Sequence, residues 1–181
     1  SVSAFLLNRS SDLAIEKIFP YLTKNIDDII AVPDEDLVVS FLDMVENHKM
    51  VVENSGLLSV AALKQLDCKD KKVACVLSGG NMDIITMSSV VQQGLIMRDR
   101  IFTVSVLLPD KPGELSRVSG IIAEVNGNVI KLEHNQFVSI NRNAAVELRI
   151  TLEAFGSEHK EQILNALTEK GFKPKIVRTN I

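Results

Sequence analysis

The sequence contains no tryptophan, and aromatic residues make up only 4% of its 181 residues. Its 20 basic residues are outnumbered by 23 acidic ones, which gives a formal net charge of −3, and no basic cluster interrupts the chain. Nucleic-acid-binding domains gather lysine and arginine on one face and often stack bases on aromatic rings. Nucleic acid is therefore not an expected partner.

Long apolar runs and a recognisable leader are also missing. The apolar stretches are far shorter than the roughly 20 residues that a membrane-spanning helix needs. The first residues lack the basic segment and cleavage site of a secretory signal. We expect no membrane association and a cytoplasmic location.

Cysteine and histidine are scarce. Cys68 and Cys75 do not have the spacing of a redox or metal motif, and His48, His134 and His159 are far apart in the sequence. The sequence therefore predicts no metal site. The cysteines are expected to be reduced, as is usual in the cytosol.

The most informative stretch joins an apolar run to a glycine-rich turn. Val73–Leu77 is apolar without alternation, which predicts a strand buried on both faces of a parallel sheet. Ser78-Gly79-Gly80-Asn81 follows, where two glycines allow a sharp turn and close approach to a ligand. Asp83 is placed to cap the next helix. Ligands bind at the carboxyl ends of such strands, so the pattern indicates either a ligand-binding loop or a plain strand-to-helix turn.

The residues before this stretch are predicted to be mostly helical. Apolar spacing and capping residues predict one helix ending near Asn25 and a second opening at Pro33, with a short strand over Asp27–Val32 between them. Glu53–Leu66 is predicted to form a third helix. The first half of the chain is therefore expected to be an α/β structure.

From about Arg98 the spacing changes to that of a small sheet. The alternation of apolar residues predicts half-buried strands. One helix is predicted after Pro112, and another is predicted to begin at Ser157, which would cap it. Gly127 is predicted to end the first of these helices as a left-handed cap. The order βαββαβ follows, with both helices on one face and the second strand at the sheet edge.

Two segments of the first half resemble one enzyme family. CVLSGGNMD (75–83) resembles the C-terminal cofactor loop of fold-type II pyridoxal-phosphate enzymes, most closely that of threonine dehydratases (threonine ammonia-lyases). VVENSGLLSVAAL (51–63) resembles the glutamate-containing segment that precedes this loop, although the family usually has Gly-Ala where this chain has Gly56-Leu57. The cofactor implied by the resemblance is pyridoxal 5′-phosphate.

The second half resembles the ACT domain, an amino-acid-sensing module. LPDKPGELSRV (108–118), followed by GNVIKLEHN (127–135), is especially similar to the ACT domain of bacterial threonine dehydratases. The resemblance implies that residues 1–97 are the C-terminal portion of an incomplete catalytic domain. Residues 98–181 are expected to form a ferredoxin-like βαββαβ regulatory domain.

The resemblance also implies roles for residues of the cofactor loop. Ser78 matches the family residue that hydrogen-bonds the pyridine nitrogen, and Gly79, Gly80 and Asn81 would shape the loop beside the ring. Glu53 is either an acid close to that loop or an ordinary acid at a helix start.

The activity implied by the family is β-elimination of threonine to 2-oxobutanoate and ammonia. The family's Schiff-base lysine and its glycine-rich phosphate loop have no counterpart in the chain, so no catalytic residue is assigned. We therefore expect the C-terminal part of a larger enzyme, whether expressed as such, released by proteolysis or encoded as one piece of a split protein. By itself it is expected to be inactive.

An amino-acid effector site is expected at the start of the first ACT helix. Free backbone N–H groups at a helix start suit a carboxylate, an acid suits the ammonium group, and apolar residues suit the side chain. By resemblance, an asparagine from a neighbouring ACT domain completes the site. The candidate residues are Asp110, Lys111, Pro112, Gly113, Leu115, Asn128 and Ile130.

Isoleucine, often opposed by valine, is the effector that the family suggests. An exposed edge strand favours pairing with another copy, so a dimer or tetramer is expected. Three alternatives stay open: a turn and helix cap without a ligand, a non-catalytic amino-acid-sensing or oligomerisation module, and a serine dehydratase or racemase of the same fold type.

Overall fold

The computed structural model of the chain describes residues 12–135 and 146–179. The chain divides into two compact units, Ser1–Gly94 and Leu95–Ile181. The expected boundary between a catalytic portion (1–97) and a regulatory domain (98–181) is a statement about function and stays a prediction.

The first unit is helical in its described residues. It contains α1 (Asp12–Asn25), α2 (Asp34–Asp43) and α3 (Leu58–Ala61), and α4 (Ile84–Met97) begins in it. A π-helical turn, Met44–His48, extends α2, so the helix predicted to open at Pro33 is confirmed. Its core gathers apolar residues from these helices and from the segment that joins the π-helical turn to α3: Leu37, Val38, Phe41, Met44, Val52, Leu57, Leu58, Ala61 and Val90.

The helix predicted over Glu53–Leu66 is broken. Tight 3₁₀ turns, Asn54–Leu57 and Ala62–Gln65, flank the four-residue α3. Gly56 lies where an added Cβ would overlap the Ser78 carbonyl oxygen, so the first turn packs directly against the backbone of the Ser78 loop.

The two strands predicted in the first unit are wrong. Among the described residues, Val73–Leu77 has no strand beside it, and Asp27–Val32 contains a single bridging residue. Val76 is 76% exposed. A strand is buried on both faces only when neighbouring strands and covering helices supply the contacts. In this segment a side chain takes the place of a neighbouring strand as hydrogen-bond partner: Ser59 Oγ donates to the Val76 carbonyl oxygen over 2.9 Å.

The second unit contains one four-stranded antiparallel sheet. It is formed by β1 (Ile101–Leu108), β2 (Asn128–Asn135), β3 (Val146–Glu153) and β4 (Lys175–Val177), in the order β2-β3-β1-β4. The helices are α5 (Glu114–Glu124) and α6 (Ser157–Glu169). The predicted βαββαβ order is confirmed, and β2 lies at the edge. The core residues come from both helices and the sheet: Phe102, Val104, Val106, Leu108, Val118, Ile121, Ile122, Leu148, Ile150, Leu152, Ala154, Ile163, Leu167 and Phe172.

Strand β1 is buried on both faces along most of its length, whereas alternation predicted half burial. On the face away from the core, Thr103 Oγ1 lies 2.9 Å from Thr151 Oγ1, and Ser105 Oγ donates to Glu147 over 2.6 Å. The short side chains are covered because β1 lies between β3 and β4.

A Schellman motif follows the last residue of helix α5, Glu124. Its left-handed residue is Asn126, whereas the sequence predicted Gly127 in that role. Asn126 has φ of 60°, and the N–H groups of Asn126 and Gly127 donate to the carbonyl oxygens of Ala123 and Ile122. Gly127 lets the chain pass close to the Ile122 side chain, since an added Cβ would lie 2.7 Å from Ile122 Cγ2. This ending sets the start of β2 at Asn128.

Candidate functional site

The loop Ser78–Asn81 leads directly into α4, and Asp83 caps that helix as predicted. Asp83 Oδ1 accepts the backbone N–H of Thr86 over 2.9 Å, and Oδ2 accepts the Thr86 hydroxyl over 2.5 Å. The Thr86 hydroxyl, and then the Thr86 N–H, hold the pKa of Asp83 below its ordinary value of 3.8. The cap therefore stays charged and fixes the exit of the loop.

Glu53 holds the other side of this loop. Its Oε2 accepts the backbone N–H of Asn81 over 3.2 Å, and its Oε1 accepts the Ser55 hydroxyl over 2.6 Å. The Glu53 carbonyl oxygen also accepts the N–H of Gly56, which begins the first 3₁₀ turn. The structure thus brings together two predicted residues, Glu53 and Asn81, that lie 28 positions apart.

The two glycines of the loop have different surroundings. Gly79 has φ of +84°, and an added Cβ would overlap Glu53 Oε1. An added Cβ on Gly80 would meet nothing within 4 Å. Gly79 therefore lets the loop approach the carboxylate, whereas Gly80 borders open space.

An open cleft of about 720 Å³ lies beside the loop. Glu53 and Asn81 line it, whereas Ser78, Gly79 and Gly80 are exposed outside its lining. Sequence reasoning missed Asn54, which also lines the cleft and whose Oδ1 is buried without a hydrogen-bond partner in the described chain. The one sequence signal that could have identified Asn54 is its position next to Glu53.

The second predicted site lies at the turn between β1 and α5. The N–H of Lys111 donates to the Pro109 carbonyl oxygen over 2.8 Å, and Gly113 has φ of 93° just before the helix. Asp110, Lys111, Pro112 and Leu115 are exposed. The turn therefore presents a helix start, a carboxylate and an apolar side chain to solvent.

Asn128 and Ile130 do not lie beside this turn in a single chain. Asn128 and Ile101 both pair with Glu153, so Asn128 is level with the start of β1, whereas the turn follows Leu108. At about 3.3 Å per residue, these two levels are about 23 Å apart. Asn128 Nδ2 donates instead to Glu153 over 3.0 Å, and Ile130 is the extra residue of a β-bulge.

The described residues contain no cluster of three or more His, Cys, Asp or Glu side chains arranged to hold a metal. No helix in residues 12–135 and 146–179 has the length and apolarity to cross a membrane.

Comparison with known proteins gives consistent relatives. No protein-family model matches the chain. It is 34% identical over 160 residues to an L-threonine ammonia-lyase of Thermotoga maritima, and 32% identical over 162 residues to one of Geobacter sulfurreducens; each match covers 88% of this chain and 40% of the relative. A mitochondrial threonine dehydratase of Schizosaccharomyces pombe is 25% identical, over 83% of this chain and 26% of its own length.

The chain belongs to the threonine ammonia-lyase family. It spans about 40% of the length of the first two relatives. The S-G-G-N and ACT motifs that indicated this family lie in the two units described above.

The chain is less similar to solved structures than to these sequence relatives. The ACT domain of a Bacillus anthracis prephenate dehydrogenase is 22% identical with a TM-score of 0.32, over 40% of this chain and 99% of that one. A Streptococcus mutans prephenate dehydratase is 23% identical with a TM-score of 0.36, over 42% of this chain and 40% of that one. The ACT-type fold rests on the strand order β2-β3-β1-β4 and the βαββαβ sequence of elements.

Proposed function

We propose that this chain forms the carboxyl-terminal part of a pyridoxal-phosphate-dependent threonine ammonia-lyase that converts threonine to 2-oxobutanoate and ammonia in the cytoplasm. The first unit supplies one wall of the cofactor site, and the second is an amino-acid-binding regulatory domain. The observation that carries the proposal is the 34% identity over 160 residues with an L-threonine ammonia-lyase.

The Ser78 loop has the exposure that one side of a cofactor site would need. Ser78 is exposed rather than packed in hydrocarbon, and Gly80 borders open space. In the proposed site the Ser78 hydroxyl would bond the pyridine nitrogen, and Glu53, which accepts the Asn81 N–H, would keep the loop in place. Bound pyridoxal phosphate would supply the electron sink for removal of the α-proton and loss of the β-hydroxyl. A neutral hydroxyl at this position would leave the ring nitrogen largely unprotonated.

The chain by itself is expected to leave threonine unchanged. In the proposed enzyme this chain supplies the Ser78 loop and the Glu53 carboxylate, and the Schiff-base lysine is proposed to come from a part of the enzyme outside these 181 residues. Ammonia release from threonine, measured with the purified chain and added pyridoxal phosphate, would contradict this part of the proposal.

The effector site is proposed to lie between two copies of the regulatory unit. Asn135 pairs with Glu147, which also pairs with Leu107, so the end of β2 is level with the end of β1. Antiparallel pairing of two β2 strands would bring Asn128 of the partner subunit to this level. That arrangement supports a site shared by the Asp110–Leu115 turn and a neighbouring β2.

Each part of an amino acid has a candidate partner in this arrangement. The first N–H groups of α5 would bind the carboxylate, and Asp110 would accept the ammonium group. Leu115 and Ile130, both exposed, would contact an aliphatic side chain. Isoleucine is therefore the proposed effector, with valine as its competitor.

Calorimetric titration of the 181-residue chain with isoleucine, valine and threonine tests this assignment. Isoleucine or valine is expected to release heat and raise the melting temperature. Asp110→Asn should abolish the response, whereas Glu169→Gln, a matched loss of an exposed carboxylate on α6, should not. No heat and no thermal shift with any amino acid would favour a regulatory unit that only assembles subunits.

A further inference from the structure

Phe155 is 84% exposed, more than any other large apolar side chain of the described residues. It lies between β3 and α6, at the end of the sheet where β1 begins, since Glu153 pairs with Ile101. Exposed apolar side chains are common on protein surfaces, and exposure alone does not indicate a site. Phe155 differs because its ring is fixed in place although it is exposed.

The imidazole of His159 holds the Phe155 ring. The two rings are stacked, with centroids 4.8 Å apart and planes inclined by 15°. The Phe155 N–H donates to His159 Nδ1 over 3.1 Å, so Nδ1 carries no proton. Nε2 therefore carries it and donates to the Val125 carbonyl oxygen over 2.6 Å. The imidazole is thus neutral, and it fixes the phenyl ring without placing a cation against it.

A cavity of about 290 Å³, which we call the Phe155 cavity, borders this pair of rings. Its lining residues are Val125, Asn126, Phe155, Glu158, His159 and Gln162. Glu158 is the one charged residue of the lining, and it has no ion pair within the described part of the chain. The side-chain amides of Asn126 and Gln162 are exposed. The cavity thus offers an aromatic ring, a carboxylate and two amide oxygens, and its lining contains no lysine or arginine.

These groups favour a planar cation as ligand. An aromatic face attracts a cation, and a carboxylate pairs with one. The N–H groups at the start of α6 would favour an anion, but the Glu158 carboxylate lies in the first turn of that helix and opposes one. A guanidinium is planar, stacks on aromatic rings and donates several N–H bonds to carboxylate and amide oxygens. An ammonium group is compact and strongly hydrated, so it gains less from a flat ring.

We propose that the Phe155 cavity binds a guanidinium group, which stacks on the Phe155 ring, pairs with Glu158 and donates to the amide oxygen of Asn126 or Gln162. The group belongs either to free arginine or to an arginine side chain of another polypeptide, since the same contacts recognise both. The cavity lies where β1 begins, whereas the proposed effector turn follows the other end of β1, about 23 Å away. The two sites are therefore separate, and each is tested independently of the other.

Titration of the 181-residue chain with L-arginine, followed by two-dimensional ¹H–¹⁵N NMR, tests the site. Arginine is expected to shift the side-chain amide signals of Asn126 and Gln162 and to saturate. Citrulline has nearly the same shape but an uncharged ureido group, so it should bind about fivefold or more weakly. Lysine should also bind more weakly than arginine. Equal affinities for arginine and citrulline would overturn the proposal.

Two variants remove one contact each. Phe155→Leu keeps an apolar side chain and removes the aromatic face, and Glu158→Gln removes the charge and keeps the shape. Each should raise the dissociation constant for arginine about fivefold or more. Both side chains are exposed, so the melting temperatures should stay close to that of the wild type. Glu161→Gln, which neutralises an exposed carboxylate of α6 outside the cavity lining, is the matched control and should leave the affinity unchanged. Equal weakening by Glu158→Gln and Glu161→Gln would show a general charge effect and overturn the site.

Compounds that differ outside the guanidinium group distinguish its two sources. Agmatine lacks the carboxylate of arginine, and N-acetyl-arginine amide has neither backbone charge. If arginine binds several-fold more tightly than both, free arginine is the ligand, and its carboxylate adds a contact with the first N–H groups of α6. If all three bind alike, the cavity recognises the guanidinium alone, as an arginine side chain of a partner polypeptide would present it. No change in the Asn126 and Gln162 signals with any of the three overturns the proposal, while the isoleucine titration judges the effector site separately.

Discussion

Gly56 and Gly79 fix the geometry around Ser78, because neither has a side chain and both lie where a Cβ would overlap other atoms. Gly56 lets a 3₁₀ turn contact the Ser78 carbonyl oxygen, and Gly79 lets the loop approach Glu53 at a positive φ. The position of the Ser78 hydroxyl therefore depends on contacts that a single Cβ would prevent.

Gly79→Ala is expected to destabilise the first unit by about 1–3 kcal/mol, because a Cβ is strained at this φ and overlaps Glu53. Denaturant unfolding followed by circular dichroism measures this, and hydrogen exchange should show a less protected Asn81 amide. Gly80→Ala adds the same methyl group one residue later, in open space, and should change stability little. Equal effects of the two substitutions would show that Glu53 does not hold the loop.

The sequence identified the Ser78–Asn81 loop but could not decide what Glu53 does. Both readings of Glu53 were compatible with its place before a helix, and only the fold showed its carboxylate beside the Asn81 N–H. Asn54 illustrates the same limit, because a buried amide oxygen without a partner is a property of packing and has no sequence pattern.

Strands were predictable in the second unit and not in the first, for a physical reason. Alternating residues such as Val104 and Ile150 bury one face against helices of the same unit. The continuous run Val73–Leu77 predicts a strand only if strands lie on both sides, and the described residues provide none. An apolar run forms a buried strand only where other segments of the protein pack against it, and the run itself does not show whether those segments are present.

The start of the second unit is fastened to α6 by one carboxylate. Asp99 accepts Lys160 Nζ over 2.8 Å and the Ser157 hydroxyl over 2.7 Å. The hydrogen bonds from Lys160 and then Ser157 hold the pKa of Asp99 below its ordinary value of 3.8. Ser157 was predicted to cap α6; it occupies the first helical position and bonds Asp99 instead.

Asp99→Asn is expected to lower the stability of the second unit by about 1 kcal/mol at pH 7, because an ion pair becomes a neutral hydrogen bond. A lowered folded-state pKa stabilises the fold above the unfolded pKa, and this contribution disappears as the pH falls through the folded value. The difference between wild type and variant should therefore shrink below about pH 4.

Unfolding free energies measured from pH 7 to pH 2.5 would check the Asp99 prediction. Glu161→Gln, which neutralises an exposed carboxylate on α6, serves as the control. Its unfolding free energy should differ less from that of the wild type at pH 7. A wild-type advantage that stays constant with pH would mean that the Asp99 charge does not contribute.

At the scale of the whole molecule, an effector site shared by two copies makes binding and assembly one equilibrium. If the Asp110–Leu115 turn and the partner's β2 both contact the amino acid, the dimer binds it and the monomer does not bind it as well. Ligand then favours the dimer, and dimerisation favours the ligand by the same factor. An amino acid can control catalysis only through such a difference between arrangements of subunits.

The linkage predicts two results that must agree. Saturating isoleucine should lower the dimer dissociation constant of the wild-type chain. Lys131→Glu, which lies outside the proposed effector contacts, puts two acids, at positions 131 and 133, on the same face of the β2 edge in both copies. Repulsion between these edges should weaken the dimer, and isoleucine binding with it. Mixing Lys131→Glu with Glu133→Lys should restore both properties together, because an acidic β2 edge then pairs with a basic one. Sedimentation equilibrium with and without isoleucine, paired with calorimetry on the same samples, measures the two factors. If isoleucine binds Lys131→Glu monomers as tightly as wild-type dimers, the site lies within one copy, and regulation cannot operate through the pairing of two β2 strands.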